Sequence, residues 1–209
     1  MKFWGHTLVF SLLFYFLILF YLFASEGYID RTILNRAHAD TAVFLIGLSF
    51  AFSGICYFWN FADKYFIYRK YLGLSGFAFA LSHVAITILL LNDVFPFPSY
   101  YQIHENVPAF ILGVYAILIY AFMAAISNKF ASHLFGGPLW RSFLRLGYIA
   151  YVFTILHFAL KSYPSWLTWI SKGSFSLPPI TLPLTIFGAG VILLRIAVWI
   201  SQKRKKQSV

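Results

Sequence analysis

Apolar residues gather into six long runs, near 6–24, 40–61, 71–91, 108–127, 143–162 and 181–201, with polar residues confined to the stretches between them. Each run is close to the ~20 residues that carry a helix across the hydrocarbon of a bilayer. A run standing alone in lipid must be helical, because only a helix satisfies its own backbone polar groups. The pattern therefore predicts an all-α fold: a polytopic six-transmembrane-helix bundle, a single transmembrane domain over residues 1–209 that ends in a basic tail at 202–209. The first run follows Lys2 and has the outline of a signal peptide. Its apolar core is longer than the roughly 7–15 residues of that class, so a retained helix is expected.

The polar stretches sort by charge. Basic residues concentrate in "ADKYFIYRKY", "SNKFASHLFGGPLWR" and "SQKRKKQSV", whereas Glu26, Asp30, Asp40, Asp93 and Glu105 fall in the alternate loops. The positive-inside rule then puts both termini in the cytoplasm and the acidic loops outside. The aromatic stretches "PFPSYY" and "YPSWLTW" read as outer loops anchored at the interface. Gly188 and Gly190 would permit close helix contact, and Arg195 would reach along the last run to the inner face.

Composition agrees with this layout and narrows the function. Hydrophobic residues make up 61% of the chain and charged residues 11%, the latter about half of what a soluble domain uses. Within these residues no soluble nucleotide-binding domain of ordinary size has room. The net charge of +10 is distributed as membrane-face loops, which points to a lipid bilayer as partner and not to nucleic acid. Cys56 is the single cysteine, so there is neither an internal disulfide nor a cysteine metal cage.

Candidate chemistry lies at two histidines. His6, His38, His104 and His133 fall at run ends or in loops, whereas His83 and His157 sit well inside the third and fifth runs. Counted from Lys70 and Arg145 at the inner edges, both lie at a depth of roughly 18–20 Å at 1.5 Å per residue. An imidazole at such depth is costly unless it faces protein or binds something. A satisfied core histidine is one reading of each. Two at one level, on parallel helices, also suit a b-type haem held by one imidazole from each side. Zinc would need three or four ligands, and a proton relay would need acidic partners; neither is expected at that level.

At these residues the sequence resembles the ferric reductase-like transmembrane superfamily. That group includes the haem-binding subunit of the periplasmic methionine sulfoxide reductase system, the STEAP-type metalloreductases and the membrane halves of NADPH oxidases. The resemblance is carried by "YRKYLGLSGFAFALSH", by "SNKFASHLFGGPLWRSFLRLGYIAYVFTILH" and by the six-run layout. It implies that His83 and His157 are axial ligands of haem iron. Inner-haem positions would be Arg69, Lys70, Phe143 and Leu144, none of which ligates haem in the usual way, so one haem b is implied.

The function implied is transmembrane electron transfer, as an oxidoreductase component in a bacterial-type inner (plasma) membrane. Electrons would pass from a cytoplasmic or membrane donor to an acceptor at the outer face, a periplasmic reductase among the candidates. "HLFGGPLW" does not open a helix after a strand and is no dinucleotide motif. The donor is therefore expected to be a separate flavoprotein, a quinol, or a flavin bound between the inner loops, and a flavin or quinone is the candidate for a cofactor beside haem. The alternative is a non-catalytic membrane anchor or assembly subunit that keeps the fold.

Overall fold

The computed structural model describes residues 2–173 and 177–207. The described residues form helices joined by short loops, with no strand: α1 (Lys2–Glu26), α2 (Arg31–Phe58), a 3-10 turn (Asn60–Tyr65), α3 (Tyr68–Leu90), α4 (Ser99–Gln102), α5 (Val107–Ile126), α6 (Lys129–Phe135), α7 (Gly137–Ser171) and α8 (Thr181–Gln207). Six of these helices, α1, α2, α3, α5, α7 and α8, are long and apolar enough to cross a membrane. Their outward faces are apolar as well: Leu13 is 66% exposed and Phe20 69%. In water such a surface would be an aggregation liability; in lipid it is the solvent-facing surface.

Several helix ends depart from the apolar runs. Helix α2 opens at Arg31, well before the predicted start near residue 40. Asp30 caps it, its carboxylate accepting from the Ile33 N–H at 2.7 Å. The polar residues of 31–40 are therefore helical, and Asp40, expected in an outer loop, is fully buried inside α2. His38, expected at a helix end, likewise sits within α2, its Nδ1 2.7 Å from the Leu34 carbonyl oxygen.

Helix α7 continues through Pro164 to Ser171, so "YPSWLTW" is helix where a loop was expected. Trp166 Nε1 donates to Thr181 Oγ1 at 2.8 Å and ties this extension to the first turn of α8. Helix α8 runs on into the basic tail as far as Gln207; residues 208 and 209 lie outside the described residues. Within "SNKFASHLFGGPLWR" a short α6 forms, capped by Asn128 Oδ1, which accepts from the Ala131 N–H at 2.8 Å.

Helix α2 is the centre of the bundle, packed on α3, α8 and α1, while α5 pairs with α7. Apolar helices gain no hydrophobic free energy by leaving lipid for one another, so close packing and interhelical hydrogen bonds must hold them. Gly188 of α8 supplies close packing: a Cβ there would collide with Ile155 of α7, whereas Gly190 faces open space. The Tyr151 hydroxyl donates to the Val43 carbonyl at 3.3 Å, and Ser49 Oγ donates to the Arg69 carbonyl at 2.7 Å. The Arg195 guanidinium lies 4.7 Å over the Tyr148 ring. Contacts between α2 and α7 and between α3 and α5 are sparse. The space between these two pairs of helices is the candidate site.

Candidate functional site

A cavity of about 510 Å³ opens between α2, α3, α5 and α7, and both His83 and His157 line it. That volume falls in the range of small-molecule and cofactor sites. Its walls are mostly aliphatic and aromatic, with Val43, Ile46, Val84, Phe110 and Phe158 among them. The two histidines, 74 positions apart in sequence, thus share one space, His83 from α3 and His157 from α7.

The hydrogen bonds around each ring fix its tautomer. His157 Nδ1 lies 2.7 Å from the Ala109 carbonyl oxygen. A carbonyl only accepts, so Nδ1 carries the proton and Nε2 keeps its lone pair. Gly113 makes this approach possible, because a Cβ there would stand 2.9 Å from His157 Nδ1 and 3.1 Å from its Cε1.

For His83 the argument runs through three side chains. Thr87 Oγ1 donates its single proton to the His83 carbonyl at 2.8 Å. It must therefore accept from Asn35 Nδ2, 2.8 Å away. That turns Asn35 Oδ1 toward His83 Nδ1, at 3.0 Å, with the Asn35 backbone oxygen at 3.4 Å. Two acceptors facing Nδ1 mean that it too is protonated and that Nε2 is free. An imidazole whose Nδ1–H is anchored to an oxygen while Nε2 stays unprotonated is the arrangement in which histidine binds a metal.

Asn35, Gly113 and the Ala109 carbonyl carry no signal in the apolar pattern. Asn35 lay in a stretch read as loop, and the other two look like ordinary helix residues. Asp40 also lines this cavity, and its Oδ2 has no hydrogen-bond partner. An acid in the cavity wall corrects the expectation that none lies near the histidines. It does not complete a metal site of protein ligands alone: among the described residues no three His, Cys, Asp or Glu side chains are grouped to hold an ion.

Two of the four positions named for an inner haem, Phe143 and Arg69, make aromatic contacts. Phe143 packs edge-to-face on Phe122 and Phe135, with ring centroids 5.7 Å and 5.3 Å away. Arg69 lies 5.9 Å over the Phe66 ring.

Polar groups collect toward the end of the cavity where α2 begins and α5 follows α4: Thr32, Arg36, Tyr100, Asn106 and Lys161. Arg36 is ion-paired with Glu26 at 2.8 Å. Nearby, Arg31 bridges the Leu90 carbonyl at 2.9 Å and Asp93 at 2.8 Å. The guanidinium hydrogen bond holds the Asp93 carboxyl below the usual carboxylate range. Comparison with protein-family models and with curated protein sequences finds no match to this chain.

Proposed function

We propose that this chain is a haem b-containing transmembrane electron-transfer protein of ferric reductase-like type. One observation carries the reading: two histidines from separate membrane-length helices line one cavity, and each has its Nδ1–H tied to an oxygen so that Nε2 is free to bind iron. The residues present fit the group. His83 and His157 would hold the iron, while Asn35 and the Ala109 carbonyl would fix ring orientation and raise ligand basicity. The aliphatic and aromatic walls would keep water away. Haem bound there supplies one-electron chemistry, its potential set by the two imidazoles and the low-polarity surroundings.

In this reading the chain is one component of an oxidoreductase. The donor is a separate flavoprotein or a quinol, and the acceptor stands at the outer face. A single haem is expected, because Arg69, Lys70, Phe143 and Leu144 offer no second imidazole pair. The basic ends of the helices face the cytoplasm of a plasma-type membrane.

The test is spectroscopic. The purified protein is expected to show a reduced-minus-oxidised b-type haem spectrum at one haem per chain, and His83→Ala or His157→Ala is expected to abolish it. A wild-type protein that remains colourless when haem is supplied overturns the reading and favours an anchor or assembly subunit. Two haems per chain would overturn the argument from the inner positions.

A further inference from the structure

Lys161 follows His157 by one helical turn on α7, so the two side chains share a face, and both line the cavity. Its Nζ donates to the Tyr100 hydroxyl at 2.9 Å and to Asn106 Oδ1 at 3.0 Å. An ammonium has three donors and no acceptor; one N–H therefore remains. Because the Tyr100 hydroxyl accepts from Lys161, its own proton is also left over. Asn106 Nδ2 in turn donates to the Tyr100 carbonyl at 3.1 Å, which locks the pair to the start of α5.

The charge is open as well. Arg36, on the same cavity, has Glu26 for its counter-charge, and Arg31 has Asp93. Among the described residues Lys161 forms no ion pair; its partners are the Tyr100 hydroxyl, the Asn106 amide and the face of the Tyr100 ring, whose centroid lies 4.9 Å from Nζ. Two neighbouring donors left over and a positive charge with no carboxylate partner at an apolar cavity match a carboxylate, which accepts through two oxygens.

We propose that Lys161 and Tyr100 form the seat for a carboxylate borne by the ligand of this cavity. On the haem reading, on which this rests, that carboxylate is a propionate of haem b, so the seat fixes which edge of the porphyrin faces the Lys161 end. The ligand class is an apolar ring system with an acidic edge, bound by imidazole at its centre and by the ammonium and phenol at its rim.

The test compares haemin with haemin dimethyl ester, whose carboxylates are masked. Each is titrated into the purified full-length apo-protein in detergent and followed by absorbance, with Lys161→Met, Lys161→Arg and Tyr100→Phe beside the wild type. Losing a hydrogen bond to a charged group is expected to raise the haemin Kd about tenfold in Lys161→Met, with a smaller rise in Tyr100→Phe. Lys161→Arg keeps the charge and retains most of the affinity. The ester is expected to bind wild type and Lys161→Met alike, because the interaction is already absent from one partner. Equal weakening of haemin and ester in Lys161→Met would assign Lys161 to the fold and overturn the seat. Unchanged haemin affinity in that variant would overturn it too, while leaving the two-histidine reading standing. Uptake of neither porphyrin by wild type overturns the haem reading and the seat with it.

Discussion

At position 113 a hydrogen in place of a methyl group lets the His157 ring reach the backbone of α5. Gly113→Ala would put a Cβ 2.9 Å from His157 Nδ1, so the ring must move and its bond to Ala109 must lengthen or break. Partners of this kind tune a metal ligand from behind, and their loss typically costs roughly 10–100-fold in affinity. On the proposed haem reading, Gly113→Ala is therefore expected to weaken haem retention by that order while leaving helicity by circular dichroism unchanged. Unaltered retention would mean that the anchored tautomer is not what the proposed ligand role of His157 depends on. Neither histidine's supporting partner was legible in the sequence. His83 and His157 stood out because a lone ionisable group in an apolar run is conspicuous. Asn35, Ala109 and Gly113 did not, because the contact that gives each its role comes from another helix.

The elements were largely legible in number and imprecise in extent. Six apolar runs became six membrane-length helices. The start of α2 was missed because the Arg, Asn, His and Asp residues of 31–40 break the hydropathy that defines a run. They belong to the helix since Asp30 caps it and since Asn35 and Asp40 turn inward to the cavity. Asp30→Ala should remove that cap, at a typical cost of about 1 kcal/mol. The thermal midpoint is expected to fall accordingly, with Asp30→Ser close to wild type. An equal loss in both variants would show that the carboxylate acts through its charge and not as a cap. The end of α7 was missed for a related reason. Pro164 signals a helix stop in a sequence, yet the helix runs on beyond it and is tied there to α8 by the Trp166–Thr181 bond.

At the scale of the whole molecule, contacts between helix ends bring both described chain ends to one end of the bundle. His6 Nδ1 lies 3.0 Å from the Tyr68 hydroxyl at the start of α3, and Lys205 stands 5.4 Å over Tyr57 near the end of α2. On the proposed orientation, which rests on the positive-inside rule, that end faces the cytoplasm. In a Cys56→Ser background, an impermeant thiol reagent applied to intact cells is expected to label Ser99→Cys and to spare Gln207→Cys. The reverse pattern would invert the electron path proposed for the site.

The sequence by itself determined the number of membrane-length helices, the apolar runs that form them and the two histidines inside those runs. These follow from a single constraint: a chain in hydrocarbon must close its own hydrogen bonds and must account for every ionisable group it carries inward. It did not determine which faces of the helices meet. A helix in lipid is apolar on its outer face as well as its inner one, so the contrast that marks the buried face of a soluble helix is absent. Rotation and packing were left to the tertiary structure. Only there do Asn35 and Ala109 set the tautomers of His83 and His157, Asp40 enter the cavity wall, and Tyr100 meet Lys161 across 61 positions.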